Sequence, residues 1–324
     1  MNLLDRLVPR SVFGSAAVAV LLTALLATAG AALSAGLANY GWTLFLGVPF
    51  VLGVSSSLIH GYHRPQGFRS CFGVTLLSLL FSAVLLIALA VEGLICILMA
   101  APIAILLALF GTLIGYLIQA RPEARPSRRH ILLALTAALP LLMGAEAAVR
   151  PEPPLDVVRS SVEIDAPPER VWEHVVSFCE LPPPDEMIFR AGVAHPKRAE
   201  IRGRGAGAVR YCVFSTGRFV EPIEVWDEPR LLAFSVTAQP APMEEWTPYP
   251  GIHPPHLDGT FHSKRGQFLL ERLPGNRTRL EGTTWYTHRL WPASYWGLWS
   301  DWVLHTIHLR VLRHVKVLSE RKEP

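Results

Sequence analysis

The sequence predicts a two-part protein: a membrane bundle of about five α-helical spans, then an α+β domain in which an antiparallel sheet packs on one long C-terminal helix. Three observations carry this reading. Hydrophobic residues make up 51% of the chain and charged ones only 17%, below the ~25% charge usual in soluble domains, so part of the chain is unusually apolar. Between Ser11 and Gln119 the ionisable side chains, cysteine and tyrosine aside, are confined to His60, His63, Arg64, Arg69 and Glu92. From Arg150 onward charge returns, and short alternating segments are separated by turn residues. The composition break divides the chain into a transmembrane domain over residues 1–150 and a soluble domain over residues 151–324.

About 20 apolar residues at ~1.5 Å each cross ~30 Å of hydrocarbon. Four runs of that length lie near 12–35, 40–59, 71–91 and 94–118. A fifth, 131–149, is shorter and carries Pro140 and Glu146, so an interfacial or re-entrant helix is its alternative reading. Cytoplasmic loops retain positive charge. Arg6 and Arg10 precede the first run, Arg64 and Arg69 follow the second, and Arg121, Arg125, Arg128 and Arg129 follow the fourth. The connections at 36–39 and 92–93 carry neither Lys nor Arg. Alternating spans therefore put the N-terminus in the cytoplasm and the C-terminal domain outside it, in a multi-pass protein of the plasma membrane. Ala27-Thr28-Ala29 has the form of a signal-peptidase site, but the apolar run around it is long, and an uncleaved first span is the favoured reading.

Transporters usually need ionisable groups at mid-depth. Here Glu92, Glu146 and His60 sit near helix ends, and Gly30, Ala31, Ser34, Ala35, Gly111 and Gly115 suit close helix packing. An anchor or platform fits this half better than a pump. The net charge of +4 sits largely in the loops beside the spans, and no basic stripe with interleaved aromatics argues for nucleic acid.

In the soluble half, Val157 to Ile164 alternates as a strand. Asp165 stands where a cap would, before a helix opening at Ala166-Pro167-Pro168-Glu169 and carrying Val171, Trp172, Val175 and Val176. A short helix over 185–191 follows, then strands near 199–203, 208–215, 218–226, 230–237, 260–273 and 277–289. Gly203, Gly205 and Gly207 precede a strand rather than a helix, so they read as a turn and not a dinucleotide fingerprint. A helix over 292–320 ends the chain, with Trp299, Val303, Ile307, Val311, Val315 and Leu318 at three- and four-residue intervals.

This order, together with Val162-Glu163-Ile164-Asp165-Ala166-Pro167-Pro168-Glu169-Arg170-Val171-Trp172, Glu224-Val225-Trp226-Asp227-Glu228-Pro229-Arg230-Leu231-Leu232-Ala233-Phe234 and Thr278-Arg279-Leu280-Glu281-Gly282-Thr283-Thr284, resembles the START-related, polyketide cyclase and Bet v 1-like (SRPBCC) superfamily. The resemblance covers about 157–321 and implies a helix-grip fold, with a cavity for a lipid or other hydrophobic molecule between sheet and terminal helix. It implies no particular activity, because carriers, receptors and cyclases share that fold.

Alternation puts Leu280, Thr284, Tyr286 and His288 on one face of their strand, and Leu232, Phe234 and Val236 in the same way on the concave-side face of theirs. With Trp299, Val303 and Ile307 they are the candidate cavity residues; plain core filling is the competing reading for the apolar ones. The segment 239–259 is long and rich in proline, with Trp246, Tyr249, His253, His256 and Asp258 as candidate lid residues. His253 and His256, with Asp258 and the nearby Glu244 and Glu245, are ligand types suited to zinc, but they are not on a helix, so no metal and no cofactor is expected. The histidines at 305, 308 and 314 read as separate residues on the terminal helix, and its tryptophans as core, cavity wall or membrane-surface groups.

Nucleophile elbow, zinc-protease motif and phosphate loop are all missing from the sequence. The leading expectation is a membrane-tethered domain that binds a hydrophobic small molecule or lipid. A cyclase- or hydratase-like enzyme using Tyr286, His288 or His256 as acid or base is the first alternative, and a structural or protein-binding module the second. An extracytoplasmic side permits a Cys179–Cys212 disulfide, although the sequence does not show that the two approach.

Overall fold

The computed structural model describes residues 3–121, 127–149, 151–249 and 254–321. The chain forms two compact units: one holds residues 1–151 with 245–256 and 290–292, the other 152–244, 257–289 and 293–324.

In the first unit a short helix α1 (Leu3–Leu7) precedes α2 (Val12–Gly36), α3 (Val48–His60), α4 (Phe68–Ala88), α5 (Leu94–Ala120) and α6 (Ser127–Val149). Thr43–Gly47 adds a wide π-type turn to the front of α3. Among the described residues five helices are long and apolar enough to cross a membrane: Val12–Gly36, Thr43–His60, Phe68–Ala88, Leu94–Ala120 and Arg128–Val149. The second is central, 72% buried against 17% for each of the last two. Small residues let it approach α5 closely. A Cβ on Gly53 would lie 2.0 Å from the Ala108 carbonyl oxygen, and one on Gly111 2.2 Å from that of Phe50, so neither position admits a side chain without separating the helices.

Helix ends in this unit are closed by charged side chains. The Glu146 carboxylate accepts from the Thr43 N–H at 3.0 and 3.2 Å. Arg128, 1% exposed, donates to the Gly61 and Gln119 carbonyls that end α3 and α5. Each supplies the partner that a helix terminus lacks, with the sign its dipole favours.

The second unit contains β1 (Asp156–Ile164), α7 (Pro168–Val176), α8 (Met187–Arg190), β2 (Pro196–Arg202), β3 (Val209–Phe214), β4 (Gly217–Asp227), β5 (Leu231–Ser235), β6 (Phe261–Leu273), β7 (Arg277–His288) and α9 (Ala293–Glu320). The strands form one antiparallel sheet in the order β1-β7-β6-β5-β4-β3-β2. Five apolar helices followed by a curled seven-stranded sheet and a long terminal helix are the membrane-plus-helix-grip architecture that the sequence predicts. The glycines at 203, 205 and 207 sit at φ of 88°, 83° and 89° in the β2–β3 turn, a region that L side chains rarely enter.

Three details bear on those expectations. Pro167, not Asp165, occupies the N-cap of α7, and its side chain makes no capping bond; an extended residue ahead of the Pro168 ring is what proline stereochemistry demands. Cys179 and Cys212 are free thiols, the first exposed and the second buried; burial raises the Cys212 thiol to about 12, helped by the Glu221 charge. On α9 the buried line is Trp296, Leu304, Val311, Leu312, Val315 and Ser319, with Trp299, Val303 and Ile307 half-buried beside it. The N-terminal half of the helix turns polar side chains toward the sheet, so the apolar stripe is fully buried only in its C-terminal half, at Val311 and Val315.

Candidate ligand-binding site

One cluster of polar groups in the second unit lies where α9 crosses β1 and β7. In that pair Val158 faces Thr284 and Asp156 faces Tyr286, and the two-residue period puts Val158 and Ser160 on one face of β1. The hydroxyl of buried Ser160 lies 2.7 Å from Nδ1 of His305 and 3.1 Å from Nδ1 of His308. His308 Nε2 lies 2.8 Å from the Thr284 hydroxyl. A neutral imidazole has one N–H, so His308 donates to one of these hydroxyls and accepts from the other. Burial first, and the charge of His305 second, lower His308 to about 4, which keeps it neutral at physiological pH.

A second set adjoins the first along the same face. The Tyr286 hydroxyl donates to Asp301 at 2.7 Å, and burial followed by that carboxylate raises its pKa. His288, 1% exposed, lies 3.9 Å from Asp156 and stacks on Tyr286 with ring centroids 6.2 Å apart. Phe261 covers Tyr286 at 5.2 Å.

Thr284, Tyr286 and His288 are thus brought together with Ser160 and Asp301, which the sequence reading left out, and with His305 and His308, which it did not place at the site. The separate-histidine reading is corrected for His305 and His308, which share one serine. His314 stands apart from them, 3.8 Å from the Cys179 sulfur. A signal was available: Asp301, His305 and His308 recur at intervals of four and three, hence on one helix face. Phe234 and Leu280 belong to the main core with Val171, Trp172, Ile223, Leu312 and Val315, while Trp299 leans on Trp302 at 6.0 Å.

That core contains a charge pair. Arg210 on β3 and Glu221 on β4 are directly opposed in register and bonded to each other, with side chains 2% and 8% exposed. The guanidinium lies over Phe178, Phe234 and Phe268 at 5.6, 5.7 and 5.4 Å from the ring centres. An open cleft of about 500 Å³ is lined by His174, Phe178, Cys179, Glu200, Ile201 and Leu318 among others, and by none of the residues expected at a cavity. Leu318 lies ten residues after His308, about 15 Å along α9.

The candidate lid residues fall in different places. Trp246 and Tyr249 group with the helical unit, where the Trp246 carbonyl accepts from Leu94 N–H at 3.0 Å and the Tyr249 hydroxyl donates to Ala88 at 2.8 Å. His256 is buried in the same unit. Asp258 is exposed in the other, and His253 lies outside the described residues.

Fold and site together define a class: apolar helices joined to a helix-grip domain with a polar seam under its terminal helix. Residues 156–263 match the model of the family described as polyketide cyclase / dehydrase and lipid transport. The resemblance read from the sequence therefore holds over β1 to the start of β6, while β7 and α9 lie beyond the matched stretch. No curated protein matches the chain in sequence. Among solved structures it is similar to the Zhui aromatase/cyclase from Streptomyces sp. R1128, at 18% identity over 52% of this chain and 95% of that one, with a TM-score of 0.33. It is similar to norcoclaurine synthase from Thalictrum flavum at 10% identity, covering 53% and 91% with a TM-score of 0.32. A protein of Nitrosospira multiformis gives 18% identity, 50% and 94% coverage and a TM-score of 0.32.

Proposed function

We propose that this protein is a membrane-anchored binder of a lipid or other hydrophobic small molecule, held between the sheet and α9 of its C-terminal domain. The observation that carries the reading is the polar seam of Ser160, Thr284, His308, Tyr286 and Asp301 at the margin of an apolar core. Small-molecule sites combine apolar walls with a few placed polar groups that orient the ligand head. Phe234, Leu280, Trp299, Val303 and Ile307 would supply walls, and Thr284, Tyr286 and His288 head-group contacts. The five apolar helices would form the membrane domain 1–150, in the plasma membrane with the N-terminus inside and the domain 151–324 outside.

An enzyme of the cyclase or hydratase type is favoured by one specific feature. A hydroxyl flanked by two imidazoles can pass a proton along Ser160, His305 and His308. Native mass spectrometry of the detergent-purified full chain tests the binding reading. A retained hydrophobic ligand, lost or weakened in Thr284→Val together with Tyr286→Phe, is the expected result. A ligand-free protein that also takes up no fluorescent fatty acid or phospholipid overturns it. Turnover of a retained ligand that stops in His308→Ala, with the ligand still bound, would favour the enzyme.

A further inference from the structure

We propose that Glu92, Cys96 and His256, all within the helical unit, bind a divalent ion of the zinc class. One oxygen, sulfur or nitrogen donor from each lies within 4.8 Å of the others. The Cys96 sulfur is 3.0 Å from His256 Nε2, the nitrogen that would take the ion, and the Glu92 carboxylate, 3.5 Å from Nδ1 of the same ring, would turn toward Nε2 to complete the set. The imidazole and the carboxylate are 8% and 13% exposed. Thiolate, imidazole and carboxylate form the donor set of borderline-soft zinc, which takes them at about 2.3, 2.0–2.1 and 2.0–2.2 Å.

Three distant stretches of sequence converge here for local reasons. Glu92 lies in the tight α4–α5 connection, where Ala90 takes φ of 59°. Cys96 lies in the first turn of α5. His256 lies in the short 3-10 turn Pro255–Leu257. The Glu245 carboxylate straps that return segment to α5, accepting from the N–H groups of Ile95 and Cys96 at 3.1 and 3.2 Å. Gly93 makes the strap possible, since a Cβ there would stand 2.1 Å from that carboxylate. Tyr40, 5% exposed, closes the far side, its ring edge-on to His256 at 4.9 Å.

Three protein ligands leave the fourth zinc position to water or an exogenous ligand, the pattern of open rather than purely structural sites. Binding converts the Cys96 thiol to a zinc thiolate and releases its proton to solvent. The sequence points only to the neighbouring His253 and Asp258 as partners for His256; the structure supplies Cys96 and Glu92 from 160 and more residues earlier in the chain.

The test uses the full-length protein in detergent, stripped with a chelator, desalted, and titrated with zinc alone and with cobalt(II) alone. One retained equivalent of zinc is expected, with a thiolate-to-cobalt charge-transfer band. A variant keeping Cys96 as its only cysteine, with Cys71, Cys179 and Cys212 changed to alanine, must keep the band. Cys96→Ala and His256→Ala should weaken zinc binding by more than the ~10–100-fold that loss of an outer-shell partner costs. No band in the Cys96-only protein, or zinc retention unchanged in Cys96→Ala, overturns the site. Either failure leaves ligand binding by the helix-grip domain untouched, because the metal is read with no organic ligand present.

Discussion

The two units hold their buried polar groups with a different balance of partners. In the helical unit several hydroxyls bond the carbonyl four residues earlier, as Thr23, Ser78 and Thr112 do to Ala19, Val74 and Ala108, beside a few side-chain links between helices such as Thr23–Ser78 and Ser15–His60–Ser70. Its charged side chains close helix ends. In the helix-grip unit polar side chains bond one another across elements, as Ser160 does to His305 and His308, Tyr286 to Asp301 and Arg210 to Glu221. A backbone-directed hydroxyl is satisfied whatever its neighbours do. A side-chain network depends on every member, so the second unit is where single substitutions should register.

The sharpest way to break the comparison is Arg210→Ala. It strands the Glu221 carboxylate among phenylalanines, and removal of one partner of a buried pair costs about 3–5 kcal/mol. Calorimetry of the full chain should show the helix-grip transition collapse while the helical unit stays helical by circular dichroism. Arg210→Met with Glu221→Leu should recover most of the loss. Equal recovery by Arg210→Met alone would show that the pair is not what holds this part of the core.

Next in size is a pH effect. His308 titrates near 4 in the fold and at ~6.5 in the unfolded chain. Between those values the unfolded chain binds the extra proton, so stability falls as pH drops through that window, by up to ~1.4 kcal/mol per unit, and is level above it. Unfolding midpoints measured from pH 7.5 to 4.5 should show this slope, and His308→Gln should flatten it. Tyr286→Phe should cost less, about 1.5 kcal/mol, the low end for a hydrogen bond to a charged group, because Asp301 is exposed. No change in midpoint would mean that solvent replaces the bond fully.

What the sequence revealed follows the same division. Apolar runs and alternating strands are period signals, repeated over many residues, and they gave both architectures and the inward face of Leu280, Tyr286 and His288. Asp301, His305 and His308 were harder to read because an apolar stripe, Trp299 to Val315, runs beside them on the same helix, and only its C-terminal part, Val311 and Val315, is fully buried. Arg210 and Glu221 alternate in step with buried Cys212 and Ile223, yet charge argues for exposure until the partner is known. Glu92, Cys96 and His256 carry no joint signal at all, since only the folded chain brings them together.

The smallest expected effect is in the helical unit. Thr75 on α4 lies between two partners, its hydroxyl 2.7 Å from Ser56 on α3 and 2.7 Å from Thr112 on α5. Like Ser15–His60–Ser70, which joins α2, α3 and α4, it links three helices through side chains in the manner of the other unit. If membrane-type packing makes such links dispensable, Thr75→Val, which preserves shape, should cost little, because interhelical hydrogen bonds average ~0.6 kcal/mol and Ser56 and Thr112 keep bonds to the Gly53 and Ala108 carbonyls. About 1 kcal/mol in total is the expected loss, read as the shift in resistance to denaturing detergent. A loss of several kcal/mol would place a side-chain network at the centre of the bundle and erase the contrast between the units.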